Sequence, residues 1–144
     1  MYLYTVYGHQ LSQYTQLKPL LTFRPGFDFC GRVVAVGSGC TRLQVGDRVH
    51  GMTPFWKTGT LAEYLAVTEA FVSLVPDSVS DQHAAALPLV SLTSYNSLVT
   101  LGGLKPGSRV LVLGGSSATG MMAVQIAKAR GAHTVVATWP VIFD

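Results

Sequence analysis

The strongest constraint on the fold is a segment in which four local signals follow one another. Residues 109–113 are a short apolar run, typical of a strand buried on both faces of a parallel sheet. A glycine-rich loop, 114–120, comes next, and a helix is predicted over 121–130, with Gly131 as its C-terminal stop. Residues 134–138 are a second β run. This order predicts a βαβ unit with two parallel strands.

The glycine-rich loop has the composition of an anion site. The first N–H groups of a helix have no acceptor within it, and the helix dipole favours negative charge there. Glycine allows close approach of the backbone to a pyrophosphate, and no Lys-Ser or Lys-Thr pair follows the loop to make it a P-loop. The predicted pyrophosphate-binding residues are Gly114, Ser116, Ser117, Ala118, Thr119 and Gly120, with the two serine hydroxyls as phosphate donors. The alternative is a tight structural turn that binds nothing.

The end of the second β run bears on the choice of cofactor. An acidic residue about 20 residues past the loop would bind the ribose 2′-hydroxyl of NAD. Residues 137–139 are Ala-Thr-Trp, with no Asp or Glu. NADPH, which carries a 2′-phosphate, is therefore favoured over NADH.

Residues 24–76 predict a different kind of structure, a small barrel or sandwich of short strands separated by Gly and Pro turns. The predicted strands are 27–36, 48–50, 59–67 and 71–75. Near residue 80 the pattern changes, because Ser80 or Asp81 can cap a helix and alanines follow. Pro88 interrupts that helix, and a second helical piece is predicted from about 89 to 101.

The composition excludes several classes of protein. The basic residues are scattered, with a formal net charge of +3, so no nucleic-acid partner is expected. No apolar stretch approaches the roughly 18 residues of a membrane span, and no secretory signal begins the chain. Cys30 and Cys40 do not make a disulfide framework, so a reducing compartment is expected, the cytoplasm first and mitochondria as the alternative.

A metal site is not expected either. Zinc requires three or four convergent ligands, and the cysteines and histidines show no such spacing. His50 is interpreted as a strand or rim residue and Cys30 as a small core residue.

Five segments, in family order, resemble motifs of the zinc-free medium-chain dehydrogenases/reductases, in the quinone oxidoreductase-like (zeta-crystallin-like) branch. They are residues 25–37 (PGFDFCGRVVAVG), 46–51 (GDRVHG), 59–64 (GTLAEY), 84–95 (AAALPLVSLTSY) and 114–128 (GGSSATGMMAVQIAK). Together these motifs are specific, although the second and the last are common when taken singly. The resemblance extends over nearly the whole chain.

The resemblance implies a mixed β and α/β fold. Residues 1–80 would form an incomplete GroES-like β-barrel domain, and residues 81–144 the first βαβ unit of a Rossmann domain. The implied activity is NADPH-dependent, zinc-independent hydride transfer to a quinone or an α,β-unsaturated carbonyl. By position, residues 114–120 would bind the pyrophosphate, Thr93 would approach the nicotinamide and Thr138 would lie near the adenosine ribose.

The family has no acid or base that every member requires, so no catalytic residue is assigned. Three aromatic residues are candidates for the cleft, although a buried aromatic is the competing interpretation for each: Tyr7, Tyr14 and Tyr95. The expected partner is a small carbonyl compound or quinone, with no nucleic acid and no membrane.

The chain also departs from the family pattern. Phe27 and Asp28 stand where zinc-containing members have His-Glu, and Ser117 and Ala118 replace glycines common in the loop. By the family pattern the chain starts inside the β domain, and residues after Thr138 no longer follow the family, so truncation at both ends is expected. The alternative function is a non-catalytic remnant that binds nucleotide weakly or acts as an interaction module. An open sheet edge would favour a homo-oligomer.

Overall fold

A computed structural model of the chain describes residues 24–57 and 59–139 in full and residues 2–5 as backbone. The chain divides into two compact units, Met1–Leu89 and Val90–Asp144. We call these the first and second units. The predicted domain boundary after residue 80 stays a prediction. Among the described residues, no helix combines the length and apolar character needed to cross a membrane.

The first unit contains an antiparallel sheet of five strands. They are β1 (Tyr2–Thr5), β2 (Asp28–Ala35), β3 (Arg48–Met52), β4 (Tyr64–Ala66) and β5 (Val72–Leu74). Their order is β4-β1-β2-β3-β5, and every neighbouring pair is antiparallel. The strands predicted over 27–36, 48–50 and 71–75 are confirmed with small shifts at their ends.

The strand predicted over 59–67 is mostly wrong, because only its last part is β4. The backbone N–H groups of Thr60 and Leu61 donate to the carbonyls of Gly26 and Pro25, at 3.1 and 3.0 Å. The N–H group of Ala62 donates to the Thr60 carbonyl. These turn bonds satisfy donors that a strand would use in its ladder.

Strand β2 has a packed core on each of its faces. Successive side chains of a strand point to opposite faces, so Phe29 and Val33 share one face and Cys30 lies on the other. Phe29 and Val33 pack with buried residues of β3, β4 and β5 and with Leu43. Cys30 instead packs with Val75 and with two alanines of the first helix. The interpretation of Cys30 as a core residue is confirmed, since it is buried.

The surroundings of Cys30 predict a poorly reactive thiol. Burial, followed by the nearby Asp81 carboxylate, raises the pKa of Cys30 to about 11. At neutral pH about one molecule in ten thousand would then carry the reactive thiolate. We expect iodoacetamide at pH 7 to alkylate the half-buried Cys40 first and Cys30 only after unfolding. Peptide mass spectrometry over time checks this, and equal rates for the two thiols would contradict it.

Two helices follow the sheet, α1 (Asp81–Ala86) and α2 (Pro88–Tyr95). Ser80 caps α1, since its side chain accepts a hydrogen bond from the His83 N–H. Pro88 is the first residue of α2, a position where a missing N–H costs nothing. A π-helical turn, Asn96–Leu101, continues α2, and its end at Gly102 matches the predicted stop. The predicted break at Pro88 and the helix to residue 101 are therefore confirmed.

The side chain of Asp28 in β2 forms a hydrogen bond with the first turn of α2. The Asp28 Oδ1 atom accepts a hydrogen bond from the Leu89 N–H at 2.7 Å. Burial raises the pKa of Asp28, against the opposing effects of the Leu89 N–H and of His50. The His50 Nδ1 atom lies 2.9 Å from the Ala84 carbonyl oxygen, so this ring also contacts a helix.

The raised pKa of Asp28 predicts how stability varies with pH. The folded chain holds this proton to higher pH than the unfolded chain, whose Asp pKa is about 3.9. Ionising Asp28 therefore lowers the stability of the folded state as pH rises through this interval. We expect Asp28→Asn, which keeps an oxygen acceptor for Leu89, to raise Tm at pH 7.

The gain in Tm of Asp28→Asn should disappear below the pKa of Asp28 in the unfolded chain, where the wild-type carboxyl is protonated in both the folded and the unfolded state. The control is Asp28→Ala, which removes the acceptor and should cost about 0.5–2 kcal/mol, as the loss of a helix cap does. Thermal unfolding of the three chains from pH 3 to 8 measures the effect. A lower Tm for Asp28→Asn at pH 7 would contradict it.

The second unit contains the predicted βαβ unit. Strand β6 (Arg109–Val112) and strand β7 (Thr134–Ala137) are parallel neighbours, and helix α3 (Ala118–Ala129) lies between them in sequence. Gly131 adopts the left-handed conformation, with φ +77°, just after α3. The strand–loop–helix–strand prediction and the glycine stop are confirmed.

Burial of β6 on both faces was a wrong prediction. Val112 is buried, as are Ala123 and Ala127 of α3, which packs on this pair of strands. Leu111 is 62% exposed and Val136 of β7 is 53% exposed. Alternate residues of a strand face opposite ways, and α3 covers one face of the pair. Leu111 and Val136 lie on the opposite face, which no described residue of the second unit covers.

Candidate nucleotide-binding site

The glycine-rich loop is fixed to the end of β7 by Thr138. The Gly114 N–H donates to the Thr138 Oγ1 atom at 2.9 Å, and the Gly115 N–H donates to the Thr138 carbonyl at 2.8 Å. Thr138 in turn donates its N–H to Val112 of β6 at 2.9 Å. Gly114 has φ +76°, a conformation that favours glycine. These hydrogen bonds give Thr138 a structural role in the loop, and its predicted place near the adenosine ribose stays a prediction.

Ser117 is the N-cap of α3. Its hydroxyl oxygen accepts from the Gly120 N–H at 3.0 Å, and its hydroxyl donates to the Gly114 carbonyl at 2.8 Å. The helix therefore begins at Ala118, earlier than the predicted start at Met121. A hydroxyl has one proton to donate, so in this conformation Ser117 shapes the loop and does not offer that proton to a phosphate.

Gly120 brings the first turn of α3 close to the loop backbone. A Cβ atom at Gly120 would lie 2.2 Å from the Gly114 carbonyl oxygen and 2.8 Å from the Gly115 Cα atom. A Cβ atom at Gly115 would lie 2.5 Å from the Ala137 Cβ atom. Neither position has room for a side chain, Gly120 because of the loop backbone and Gly115 because of the Ala137 side chain. Close packing is one of the roles of glycine in dinucleotide-binding loops.

Three amides of the loop have no acceptor among the described residues. They are the backbone N–H groups of Ser116, Ala118 and Thr119, which we call the amide cradle. The Ser116 hydroxyl also has no hydrogen-bond partner in the described part of the chain, and Ser116 is half-buried. Unpaired amides at a helix N-terminus bind anions, because they point donors at the ligand and the helix dipole adds positive potential.

Sequence reasoning missed Ser94, a buried polar residue of α2. Its Oγ atom lies 2.8 Å from the carbonyl oxygens of both Val90 and Thr119. The second contact holds the first turn of α3 against α2 within the second unit. Ser91, Thr93 and Tyr95 of the same helix also carry hydroxyl groups, so the sequence has no signal that singles out Ser94. Thr93, predicted near the nicotinamide, is an exposed residue of α2 whose side chain makes no hydrogen bond to a described residue.

The aromatic candidates have different outcomes. Tyr7 and Tyr14 lie outside the described residues. Tyr95 is partly covered by Arg130, whose guanidinium lies 5.1 Å from the ring centroid and donates to the Tyr95 hydroxyl. This contact ties the end of α2 to the end of α3. Tyr95 therefore has a packing role in the second unit.

Metal-ligating side chains do not gather in the part of the chain that the structure describes. No group of three or more His, Cys, Asp or Glu there could hold a metal ion. Cys30 and Cys40 are both free thiols. Independence from zinc stays a prediction.

Comparison with known proteins gives the family of the chain. Residues 3–77 match the model of the alcohol dehydrogenase GroES-like domain. The chain is 38% identical over 115 residues to a mitochondrial NAD(P)H oxidoreductase, RTN4IP1, of Danio rerio, covering 77% of the chain and 30% of that protein. It is 42% identical over 121 residues to 2-methylene-furan-3-one reductase of Solanum lycopersicum, covering 79% and 31%.

Solved structures agree with this assignment. An alcohol dehydrogenase superfamily protein from Novosphingobium aromaticivorans has a TM-score of 0.77 and 32% identity, covering 97% of this chain and 44% of that one. The Escherichia coli quinone oxidoreductase complexed with NADPH has a TM-score of 0.68 and 29% identity, covering 81% and 35%. The chain spans about three-tenths of the length of these two curated relatives. This chain therefore belongs to the medium-chain dehydrogenase/reductase superfamily, in its quinone oxidoreductase-like branch, and combines a GroES-like part with a βαβ unit.

Proposed function

We propose that the chain binds NADPH at the amide cradle and serves zinc-independent hydride transfer to a quinone or an α,β-unsaturated carbonyl. The observation that carries this proposal is the set of three unpaired amides beside the close approach of Gly120 to Gly114. The residues present fit a dinucleotide diphosphate, because the loop offers donors and carries no acidic side chain between residues 114 and 120.

In this proposal, each part of the loop has a definite role. The N–H groups of Ser116, Ala118 and Thr119 and the Ser116 hydroxyl hold the diphosphate oxygens. Ser117 and Thr138 keep the loop in the shape that presents those donors. When bound, NADPH supplies the hydride, and the protein contributes binding, orientation and exclusion of water. Thr93 stays our candidate for the nicotinamide side.

The preference for NADPH over NADH rests on the end of β7. Ala137 and Thr138 occupy the positions where an acidic residue would bind a ribose 2′-hydroxyl, and neither carries a charge. The names of two similar proteins support the same cofactor class, since one is an NAD(P)H oxidoreductase and the other is complexed with NADPH.

The acceptor class rests on the names of similar proteins. The Escherichia coli structure is of a quinone oxidoreductase, and the Solanum lycopersicum relative is named a reductase of a methylene-furanone, which is an unsaturated ketone. A conjugated carbonyl accepts hydride at carbon while its oxygen takes up negative charge. This chain would therefore act on small electron-poor carbonyl compounds.

A second candidate is a non-catalytic module that binds nucleotide weakly or associates with copies of itself. It is favoured by the uncovered face of the β6–β7 pair, where Leu111, Leu113 and Val136 are all exposed. An apolar sheet face of this kind promotes association. Analytical ultracentrifugation with and without NADPH separates self-association from cofactor binding.

Two titrations test the main proposal. NADPH and NADH are each added to the purified chain while nicotinamide fluorescence is followed, and tighter binding of NADPH is expected. A quinone is then added, and the loss of nicotinamide absorbance reports turnover. Absence of any NADPH binding contradicts the cofactor assignment, whereas binding without turnover favours the non-catalytic module.

The compartment is also a proposal. Both cysteines are free thiols among the described residues, which suits a reducing compartment. We propose the cytoplasm, and the mitochondrial name of the Danio rerio relative provides the competing location. Imaging of the tagged chain in cells separates the two.

A further inference from the structure

The first unit presents two aromatic side chains at the tip of a β-turn. The Lys57 N–H donates to the Pro54 carbonyl at 2.9 Å, which closes the turn and puts Phe55 and Trp56 at its central positions. Phe55 is 61% exposed and Trp56 is 78% exposed. We call residues 54–57 the aromatic turn. Turns usually carry Gly, Pro, Asn, Asp or Ser at such positions, so two large apolar rings here are unusual.

Contacts of residues before, within and after the aromatic turn fix it to neighbouring segments of the first unit. Thr53, just before the turn, is buried and donates its N–H to the Phe27 carbonyl at 2.9 Å. The rings of Phe27 and Phe55 meet edge to face, with centroids 4.8 Å apart at 77°. After the turn, Gly59 approaches the backbone so closely that a Cβ atom would lie 2.0 Å from the Arg24 carbonyl oxygen.

These attachments mean that the position of the turn is set by its neighbours on both sides. Aromatic pairs with this edge-to-face geometry are favourable beyond the area they bury. Phe55 is therefore held in place by Phe27, while Trp56 remains largely exposed to solvent. Exposing an indole ring has a free-energy cost that a ligand can relieve.

The chemistry of the turn matches one class of ligand. The face of an indole ring is electron-rich and stacks favourably on a planar, electron-poor ring. Lys57 follows directly, is exposed, and carries an ammonium group that donates hydrogen bonds. We propose that the aromatic turn binds the ring of a quinone, with Trp56 stacked on the ring and Lys57 donating to a ring carbonyl oxygen. The inference rests on the proposed function, because it names the acceptor that function requires.

A lipid surface is the competing ligand for exposed aromatic side chains. Membrane-binding segments combine several apolar residues with multiple cations, whereas this turn has two rings and one lysine. A quinone is therefore the ligand that the turn fits better, and membrane binding becomes one outcome of the test.

The two tryptophans of the chain provide an internal control. Trp139 lies in the second unit and is 72% exposed, close to the exposure of Trp56. In a W139F variant all tryptophan fluorescence comes from Trp56, and in W56F it comes from Trp139. The probe is tetramethyl-1,4-benzoquinone without NADPH, because its ring positions are all substituted and it does not add to the cysteine thiols.

We expect saturable quenching in W139F with an unchanged fluorescence lifetime, which indicates a bound complex. W56F should show only linear, lifetime-shortening collisional quenching. Adding K57M to W139F should weaken quinone affinity about tenfold, as expected for the loss of one charged hydrogen bond. Cyclohexane-1,4-dione, which has two carbonyls and no conjugated ring, should not displace the quinone.

Linear quenching of equal strength in W139F and W56F would overturn the inference. So would a blue shift of Trp56 on phosphatidylcholine vesicles without saturable quenching by the quinone, since it would assign the turn to a membrane surface. If NADPH binds but quinone quenching is linear, the result contradicts only the assignment of the quinone to the aromatic turn. If quinone quenching is saturable but NADPH does not bind, the result contradicts the cofactor proposal and supports the quinone site at the turn.

Discussion

Ser116→Asp is expected to weaken NADPH binding by about a hundredfold or more while leaving the fold intact. The substitution removes a hydroxyl donor and places a carboxylate beside the three free amides of the cradle. Two unit charges about 4 Å apart repel by about 4 kcal/mol at a dielectric constant of about 20, which is the basis of this magnitude. Fluorescence titration with NADPH measures the loss.

Ser116→Asn is the matched control for this charge effect. Asparagine has nearly the size of aspartate and is neutral, so we expect a reduction in affinity of tenfold or less. Ser116 makes no hydrogen bond to a described residue, so neither variant should change Tm appreciably. Equal affinities in the two variants would remove the cradle from the binding site.

Gly120→Ala is expected to abolish detectable NADPH binding and to destabilise the chain. The added methyl would lie 2.2 Å from the Gly114 carbonyl oxygen, so the loop or the first turn of α3 must move. Forced overpacking of this kind typically costs about 1–3 kcal/mol. The hydrogen bonds of Ser117 with Gly114 and Gly120 would be strained by the same movement.

Gly39→Ala is the control, because a Cβ atom there meets nothing within 4 Å and the residue has no positive φ. It should leave both Tm and NADPH affinity unchanged. Denaturant unfolding combined with NADPH titration measures both properties. Normal binding by Gly120→Ala would show that the close approach of helix and loop is not required.

The geometry at Gly120 also changes how an aspartate there would be interpreted. From the sequence, Gly120→Asp predicts a loss of binding through charge, because a carboxylate would meet the pyrophosphate. In the structure, the Cβ atom alone collides with the backbone of Gly114. Shape and charge are therefore separated only by testing Ser116 and Gly120 individually.

The βαβ unit was predictable because its signals are local. An apolar run, a glycine loop and a glycine-terminated helix each reflect backbone preferences of nearby residues. The helix start was placed too late because Ser117 caps α3 through bonds to Gly114 and Gly120, and a serine inside a serine pair gives no clear sign of which one caps. The role of Thr138 could not be predicted either, since its hydrogen bond from the Gly114 N–H joins residues 24 positions apart in the chain.

Some polar contacts could not be predicted from any pattern. Glu69 accepts hydrogen bonds from the N–H groups of Thr41, Arg42 and Leu43 and from the Cys40 thiol. The Cys40 thiol and then the backbone N–H groups lower the pKa of Glu69. Glu69 lies more than 25 residues along the chain from Leu43. A single glutamate before a short strand is too common a pattern to predict such contacts.

The sequence by itself determined the family, the order of the elements and the position of the glycine-rich loop, because these follow from local preferences and ordered motifs. Tertiary structure alone decided which loop amides stay free, that Ser94 supports the first turn of α3, and that β6 is covered on one face. These properties depend on distances between segments that are remote in sequence. Hydrogen bonds and close packing form where such segments meet in space, and the order of residues does not specify which segments meet.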